Sequence, residues 1–344
     1  FRSGGIALLL GVWILVNYVD RVNLTVSGGA LRHEFGIDDV GFGYLLSAFG
    51  WTYAIAQIPV GVILDRYGVT IVGRVSTFFW SIFSLLTAAV GSFGMLFGAR
   101  LGLGLAETPA FPINSKATGY WFPTNGRGVA TAIFDSAAKL STAIGVPFVS
   151  VVLVNWGWRA TFLVTGIVSF LFFVAFYALY RNPSEHPALT HAEREYIRAG
   201  GAQAEGEPTS GSVGGTLVYL LRQTKVWGLT IGFAAYGYSF YLLLTWLPGY
   251  LVKTFHMPIL SSGLYTAIPW LVAAIADLLV GGFLVDALIR RGLEPTRVRK
   301  TILVAGMLLG LSIFGATTTR DPNVAIAYIT IALAGLAVSA PIGW

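Results

Sequence analysis

Stretches of about 20 apolar residues recur from one end of the chain to the other, and a helix of that length crosses roughly 30 Å of hydrocarbon. They fall at about 6–26, 43–64, 75–93, 95–118, 128–153, 158–180, 226–250, 262–285, 301–318 and 323–344. Ten spans follow, and with them the expectation of an all-α polytopic membrane protein. Only 11% of the 344 residues are charged, against about 25% in soluble domains, too few to cover a water-facing surface. Gly and Pro inside several spans are tolerated because neighbouring helices satisfy the freed backbone groups. The first span starts at residue 1 and the last runs to Trp344, so the chain reads as clipped at both ends.

Lys and Arg are divided unevenly between the loops. One set holds Arg66, Arg74, Arg127, Arg181, Arg194, Arg198, Arg222, Lys225, Arg290, Arg291, Arg297, Arg299 and Lys300; the alternate set holds Arg32, Lys253 and Arg320. The positive-inside rule then places the amino terminus in the cytoplasm, with Glu34, Asp38 and Asp39 outside. The same distribution accounts for the net charge of +6 without nucleic acid, for which no binding signature is present. The longest polar stretch, about 182–224, divides the chain into an amino-terminal bundle (1–181), a cytoplasmic central loop (182–224) and a carboxy-terminal bundle (225–344) that is incomplete. Within the loop, Thr190-His191-Ala192-Glu193 predicts a capping box. Gly206 to Gly215 reads as a flexible linker, and Thr216 to Gln223 as a segment suited to the membrane interface.

An internal repeat supports this division. Gly61-Val-Ile-Leu-Asp65-Arg66-Tyr67-Gly68 closes the second span, and Gly282-Phe-Leu-Val-Asp286, followed by Arg290-Arg291-Gly292, closes the eighth. Glycine permits close helix approach, and an Asp at a helix end can bind a basic loop or a neighbouring helix terminus. Two such motifs at equivalent positions signal the parallel repeat of a secondary transporter.

Charges inside the spans are the candidate functional groups, because each costs about 2.5–3.5 kcal/mol at a helix centre on insertion scales and normally faces a bundle interior or watery cavity. In the first span Asn17 and Arg21 share one helical stripe, with Asp20 turned about 100° away. A guanidinium stays charged and grips carboxylates through paired hydrogen bonds, so Arg21 is the candidate anion binder. Asp20 is either a proton carrier or a permanent salt-bridge partner. Glu107 follows Arg100 by seven residues on the same face of the fourth span and is the stronger proton candidate. Gly102, Gly104 and Ala106 allow close packing there, and Pro109 and Pro112 can open backbone groups to a cavity. Arg100, placed toward the outer face, either tunes Glu107 or snorkels outward.

Asp135 and Lys139, at i and i+4 in the fifth span, are expected to neutralise each other. Lys139, once released, could hold a second anionic group, which would favour a dicarboxylate or sulfonated ligand. Asp277 stands alone in the eighth span, as a titrating site or a packing partner. Trp51, Trp80, Trp121, Trp156, Trp158, Trp227 and Trp246 lie near proposed span ends and read mostly as interfacial anchors. His33, His186, His191 and His256 show no metal-ligand spacing, and the chain has no cysteine, so no metal or cofactor is expected. Without a catalytic triad or a phosphate-cradling loop, neither an enzyme nor an ATP-driven pump is expected. No repeated pore loop suggests a channel.

With these residues in place, the chain resembles the major facilitator superfamily, and within it the anion:cation symporter family of bacterial galactonate, glucarate and hexuronate transporters and animal sialin-type carriers. The resemblance rests on Asn17-Tyr18-x-Asp20-Arg21-x-Asn23-Leu24, on the loop at 61–68, and on Arg100-x-x-x-Gly104-x-x-Glu107. It continues in Trp121-Phe122-Pro123 with Arg127-Gly128, in Gly157-Trp158-Arg159-x-x-Phe162, and in Arg181-Asn-Pro183-Ser-Glu185-His186-Pro187. It implies the major facilitator fold of two six-helix halves, with about ten of twelve helices in this chain. It also implies a gating role for Gly61, Asp65, Arg66, Gly68 and Asp286. Val69-Thr70 departs from the adjacent basic residues usual in that loop, which would weaken the gate contact.

Asp20 and Glu107 match positions linked to proton coupling, Arg21 the position that holds substrate, and Tyr53 a substrate-contacting position that packing alone could also explain. Tyr236, Tyr238 and Tyr241 could offer hydroxyls to a polyhydroxylated ligand. The expected function is import of a small organic anion, a sugar acid or related carboxylate, by proton symport through alternating access. The expected form is a monomer in the bilayer of a bacterial inner membrane. An uncoupled facilitator or exchanger, or a ligand sensor that moves nothing, are the alternatives.

Overall fold

The computed structural model describes residues 3–206 and 213–340, and the described residues contain helices and no strand. Their order is α1 (Ser3–Phe35), α2 (Asp39–Ala88), α3 (Phe93–Glu107), α4 (Ala110–Trp121), α5 (Arg127–Leu179), α6 (His191–Ala199) and α7 (Val213–Leu221). Then follow α8 (Thr224–Phe255), α9 (Ile259–Ala276), a π-helical turn (Asp277–Leu284), α10 (Val285–Arg290), α11 (Pro295–Gly310), α12 (Ile313–Thr318) and α13 (Pro322–Ser339).

Among the described residues, seven helical stretches are long and apolar enough to cross a membrane. Two of them, α2 with 50 residues and α5 with 53, would each run about 75–80 Å if straight, at 1.5 Å per residue. That is more than twice the hydrocarbon thickness. Each is broken once, at Gly68 (φ 75°, ψ 171°) and at Gly157 (φ 80°, ψ 172°), a backbone conformation open essentially to glycine alone. Each long helix therefore makes two crossings. A further crossing is built from the shorter α3 and α4, which meet at Thr108-Pro109. Each stretch that the apolar pattern predicts is helical over most of its length among the described residues, the last of them running past 340 outside those residues. α1 runs longer than the pattern suggests, to Phe35, and the ninth span is divided into α11 and α12.

Caps mark the helix starts. Asp38 accepts from the Gly41 amide at 2.7 Å, and the capping box expected at Thr190 and Glu193 is formed. Glu294 accepts from the amides of Thr296 and Arg297, and its bonds to Thr296 above all hold the carboxyl below the usual carboxylate range. Part of the central loop docks on the end of the fourth and fifth spans. The Gln203 amide donates to Gly119 O at 2.9 Å, and Arg127 Nη2 donates to Gly201 O at 2.8 Å. The linker expected at Gly206 to Gly215 falls largely outside the described residues.

Packing brings the site helices together. The Trp13 ring of α1 meets Phe172 and Phe176 of α5 edge-on. A Cβ on Gly104 of α3 would stand 2.4 Å from the Phe49 carbonyl oxygen of α2, so only glycine allows these backbones to approach so closely. Not every tryptophan is an interfacial anchor: Trp80 and Trp121 are fully buried, whereas Trp51, Trp156, Trp227 and Trp246 are exposed. Burial of Trp80 has a chemical cause, described below.

Candidate functional site

Among the described residues, seven Asp, Glu, Lys and Arg side chains lie buried in the spans: Asp20, Arg21, Arg100, Glu107, Asp135, Lys139 and Asp277, none more than 5% exposed. At the insertion cost of each charge, seven together amount to on the order of 20 kcal/mol. That exceeds the net stability of about 5–15 kcal/mol of an ordinary domain. Such a set persists only if paired or neutralised, and the structure shows how.

Arg21, near the middle of α1, is held from two directions. Its Nε donates to Glu107 Oε2 at 3.0 Å, at the end of α3, and its Nη1 donates to the Tyr241 hydroxyl at 2.8 Å, near the middle of α8. The guanidinium carbon lies 4.6, 4.9 and 5.0 Å from the ring centres of Tyr18, Phe49 and Tyr53. Aromatic faces attract a cation, more strongly when water is excluded. Arg21 Nη2 and Glu107 Oε1 are both buried and make no hydrogen bond among the described residues. One donor and one acceptor are thus free side by side. The break between α3 and α4 comes directly after Glu107. Asn17, one turn before Arg21, is fully buried with both amide atoms unpartnered.

Asp20 faces another way. Its Oδ2 accepts from Trp80 Nε1 at 2.5 Å, Ser84 Oγ at 2.9 Å and Ser169 Oγ at 2.7 Å, the first two on the third span and the last on the sixth. Three donors on one oxygen hold the first span against two others. Burial of Trp80 follows, since an indole N–H inside a bundle must find an acceptor. Sequence pattern had marked Trp80 only as an anchor, and it carried no signal for Ser84 or Ser169. Arg100 is 3% exposed, so it does not snorkel. Its guanidinium carbon stands 5.1 Å from the Phe49 ring centre, on the ring that Arg21 also contacts.

The third group gives Asp277 a partner on another helix, in keeping with the packing role that the sequence left open: Lys139 Nζ donates to Asp277 Oδ2 at 2.8 Å as well as to Asp135 Oδ2. The fifth span thereby meets the eighth through one ammonium and two carboxylates. Asp135 and Lys139 line a cavity of about 500 Å³ together with Tyr18, Tyr53, Gln57, Ser115, Tyr236 and Tyr241. Tyr18, Tyr53 and Tyr241 both line this space and contact Arg21, so the cavity is bordered by Lys139 and by three tyrosines that touch a second cation. Tyr238, by contrast, is 72% exposed and does not line it. Gln57 and Ser115 were not singled out by pattern, because an isolated polar residue on a span carries no partner information.

Residues 10–343 match the Major Facilitator Superfamily. The chain belongs to this superfamily. It is 40% identical over 338 residues to the uncharacterized transporter YybO of Bacillus subtilis (strain 168), covering 98% of this chain and 77% of that protein. It is 34% identical over 331 residues to a probable L-galactonate transporter of Escherichia coli (strain K12), covering 96% and 71%. A probable galactarate/D-glucarate transporter of the same organism, GarP, is 35% identical over 353 residues, covering 98% and 79%. Among solved structures, a bacterial homolog of the human lysosomal transporter Spinster, in its inward-facing unoccupied conformation, superposes with a TM-score of 0.72. It is 19% identical and matches 99% of this chain and 74% of that one. These likenesses establish a multi-pass membrane transporter fold.

In this major facilitator superfamily member the two repeat motifs lie at contacts between helices. Asp65, four residues after Gly61, accepts from Lys116 of α4. The second-half Asp286 places both carboxylate oxygens 3.7–3.8 Å from where a Cβ on Gly128 would stand. That is the first turn of α5, where a carboxylate is favoured by the exposed amides and the helix dipole. Arg66 lies over the Tyr67 ring at 5.4 Å, and Gly68 makes the break in α2. Near the other helix ends, Lys253 of α8 donates to Asp39 Oδ2 of α2 at 2.9 Å, and Arg32 joins the same carboxylate. Helices early and late in the chain thus meet both near Gly128 and Asp286 and at Asp39 and Lys253.

Proposed function

We propose that this protein imports a small organic anion, a sugar acid or related carboxylate, together with protons by alternating access. In this reading 1–181 and 225–344 are the two rocking bundles and 182–224 is the loop joining them on the cytoplasmic side. In this reading a single chain acts as a monomer, with residues of both its bundles lining the cavity. On this reading the protein sits in a bacterial inner membrane with its amino terminus in the cytoplasm, the orientation that the distribution of basic residues between the loops favours. The relatives named for galactonate and for galactarate/glucarate support the substrate class.

The observation that carries the proposal is the Arg21–Glu107 pair with Tyr241 joining from the other half. Arg21 can present two parallel donors to one carboxylate, and Glu107 occupies one of them at Nε. Protonation of Glu107 would remove its hold on Arg21 and leave the guanidinium to the substrate carboxylate. The substrate anion and the proton then enter as a pair, which keeps the buried charge constant. Tyr53 and Asn17 supply further polar groups beside Arg21, and Lys139 lines the cavity. Arg100, which shares the Phe49 ring with Arg21, adds positive potential that tunes the pair. Asp20 stands as a second proton-linked carboxylate only if its three donors let go, so its first role is to position the span that carries Arg21. The contacts of Gly61, Asp65, Arg66, Gly68 and Asp286 serve as the gate on the cytoplasmic side.

Uptake into vesicles made with the purified protein tests the proposal. With the outside acidified, galactonate or galactarate should accumulate above its external concentration. Equilibration without accumulation would leave an uncoupled facilitator instead, and binding with zero flux would leave a sensor.

A further inference from the structure

The cluster of Asp135, Lys139 and Asp277 does not balance its charges. One ammonium serves two carboxylates, all three side chains are buried, and Asp277 is completely so. Asp277 Oδ1 makes no hydrogen bond among the described residues, and a bare ionised oxygen there would be severely penalised. With both acids ionised the cluster would carry a net negative charge deep within the helices. Two carboxylates drawn to one cation relieve this by holding a proton between them, as a pair and not as separate sites. The titratable groups that face Asp277 are Lys139 and Asp135 of α5 and the Tyr236 hydroxyl of α8.

Two further observations set this cluster apart from an inert ion pair. Asp277 opens the π-helical turn Asp277–Leu284, and such wide turns occur frequently at functional sites. Asp135, Lys139 and Tyr236 line the cavity, which gives the cluster a route for protons and a ligand.

We propose that Asp135, Lys139 and Asp277 form a second proton-binding site, separate from Glu107, whose carboxylates share one proton while Lys139 joins the fifth span to the eighth. A carboxylate that reaches Lys139 from the cavity displaces one aspartate, and the displaced aspartate binds one more proton to remain neutral inside the membrane. The balance is simple: one ammonium, one carboxylate and one carboxylic acid become one ammonium bound to substrate and two carboxylic acids. Transport of a dicarboxylate therefore carries one more proton than transport of a monocarboxylate. The resting proton is independent of the function proposed above, whereas the extra proton rests on it.

Infrared spectroscopy of the purified protein tests the resting proton without requiring transport. The carbonyl stretch of a protonated carboxylic acid should be lost in both Asp277→Asn and Asp135→Asn, because either change leaves a single ionised acid beside Lys139. It should persist in Glu107→Gln. A band unchanged in both Asn variants would overturn the proposal. If the Asn variants do not fold, Asp277→Glu keeps the acid, and the band must then shift; an unshifted band would be equally fatal. In vesicles, reversal potentials should give galactarate one proton more than galactonate, and equal values would refute the extra proton.

Discussion

The two cation sites of the cavity are built on different ratios. At Arg21 one guanidinium meets one carboxylate, Glu107, and is wrapped by three aromatic rings and a tyrosine hydroxyl. At Lys139 one ammonium meets two carboxylates from different spans. A one-to-one pair is neutral as it stands, so a new anion can enter only if its carboxylate is neutralised. A one-to-two cluster is already short of a positive charge and must hold a proton before any ligand arrives. Two buried cation–carboxylate contacts of the same kind therefore store different numbers of protons.

The largest effect that would break this contrast comes from Arg21→Ala. Removing one member of a buried pair costs about 3–5 kcal/mol, because the other is left as an unpaired charge. Affinity for galactonate, measured by equilibrium binding, should fall at least about 100-fold by that figure. Lys139→Met should leave monocarboxylate affinity within a few-fold, since both aspartates can become neutral acids. A loss as large as that at Arg21 would erase the proposed difference between the sites.

A smaller effect is expected at Tyr241→Phe, which removes the 2.8 Å bond to Arg21. Hydrogen bonds to charged groups contribute about 1.5–3 kcal/mol, so affinity should weaken roughly tenfold or somewhat more. Asp20→Asn probes positioning instead. A carboxamide oxygen can still accept from the three donors but without the negative charge, and hydrogen bonds to charged groups are worth about 1 kcal/mol more than neutral ones. Thermal unfolding in detergent should shift to lower temperature while substrate affinity in the folded fraction holds. The smallest effect belongs to Lys253→Ala. Its pair with Asp39 is exposed, with side-chain accessibilities of 58% and 59%, and such pairs contribute about 0–1 kcal/mol, less in salt. Uptake should change less than about fivefold at that energy, with the difference fading as ionic strength rises.

What the sequence could reveal follows from the range of each interaction. The spans, the break at Gly68 and the separation of Asp20 from Arg21 depend on neighbours in the chain, so apolar run length and helical periodicity expose them. Asp135 and Lys139 were paired correctly for the same reason, being one turn apart. Asp277 was not, because its partner lies 138 residues away and no local pattern points to it. Trp80 was misread because a tryptophan near a span end resembles an anchor until its acceptor on another helix is known. The division of the fourth span was foreshadowed by Pro109, but the π turn at Asp277 has no proline to announce it.

The central claim is that Arg21 exchanges Glu107 for the substrate carboxylate when Glu107 takes a proton. Glu107→Gln tests it most directly, because glutamine imitates the protonated acid and cannot release a proton. The two quantities to compare in reconstituted vesicles are accumulation driven by a pH gradient and exchange of labelled for unlabelled substrate. For the monocarboxylate galactonate, the account predicts that accumulation is abolished while exchange proceeds at a rate close to that of the unaltered protein. Accumulation that survives the substitution would contradict it.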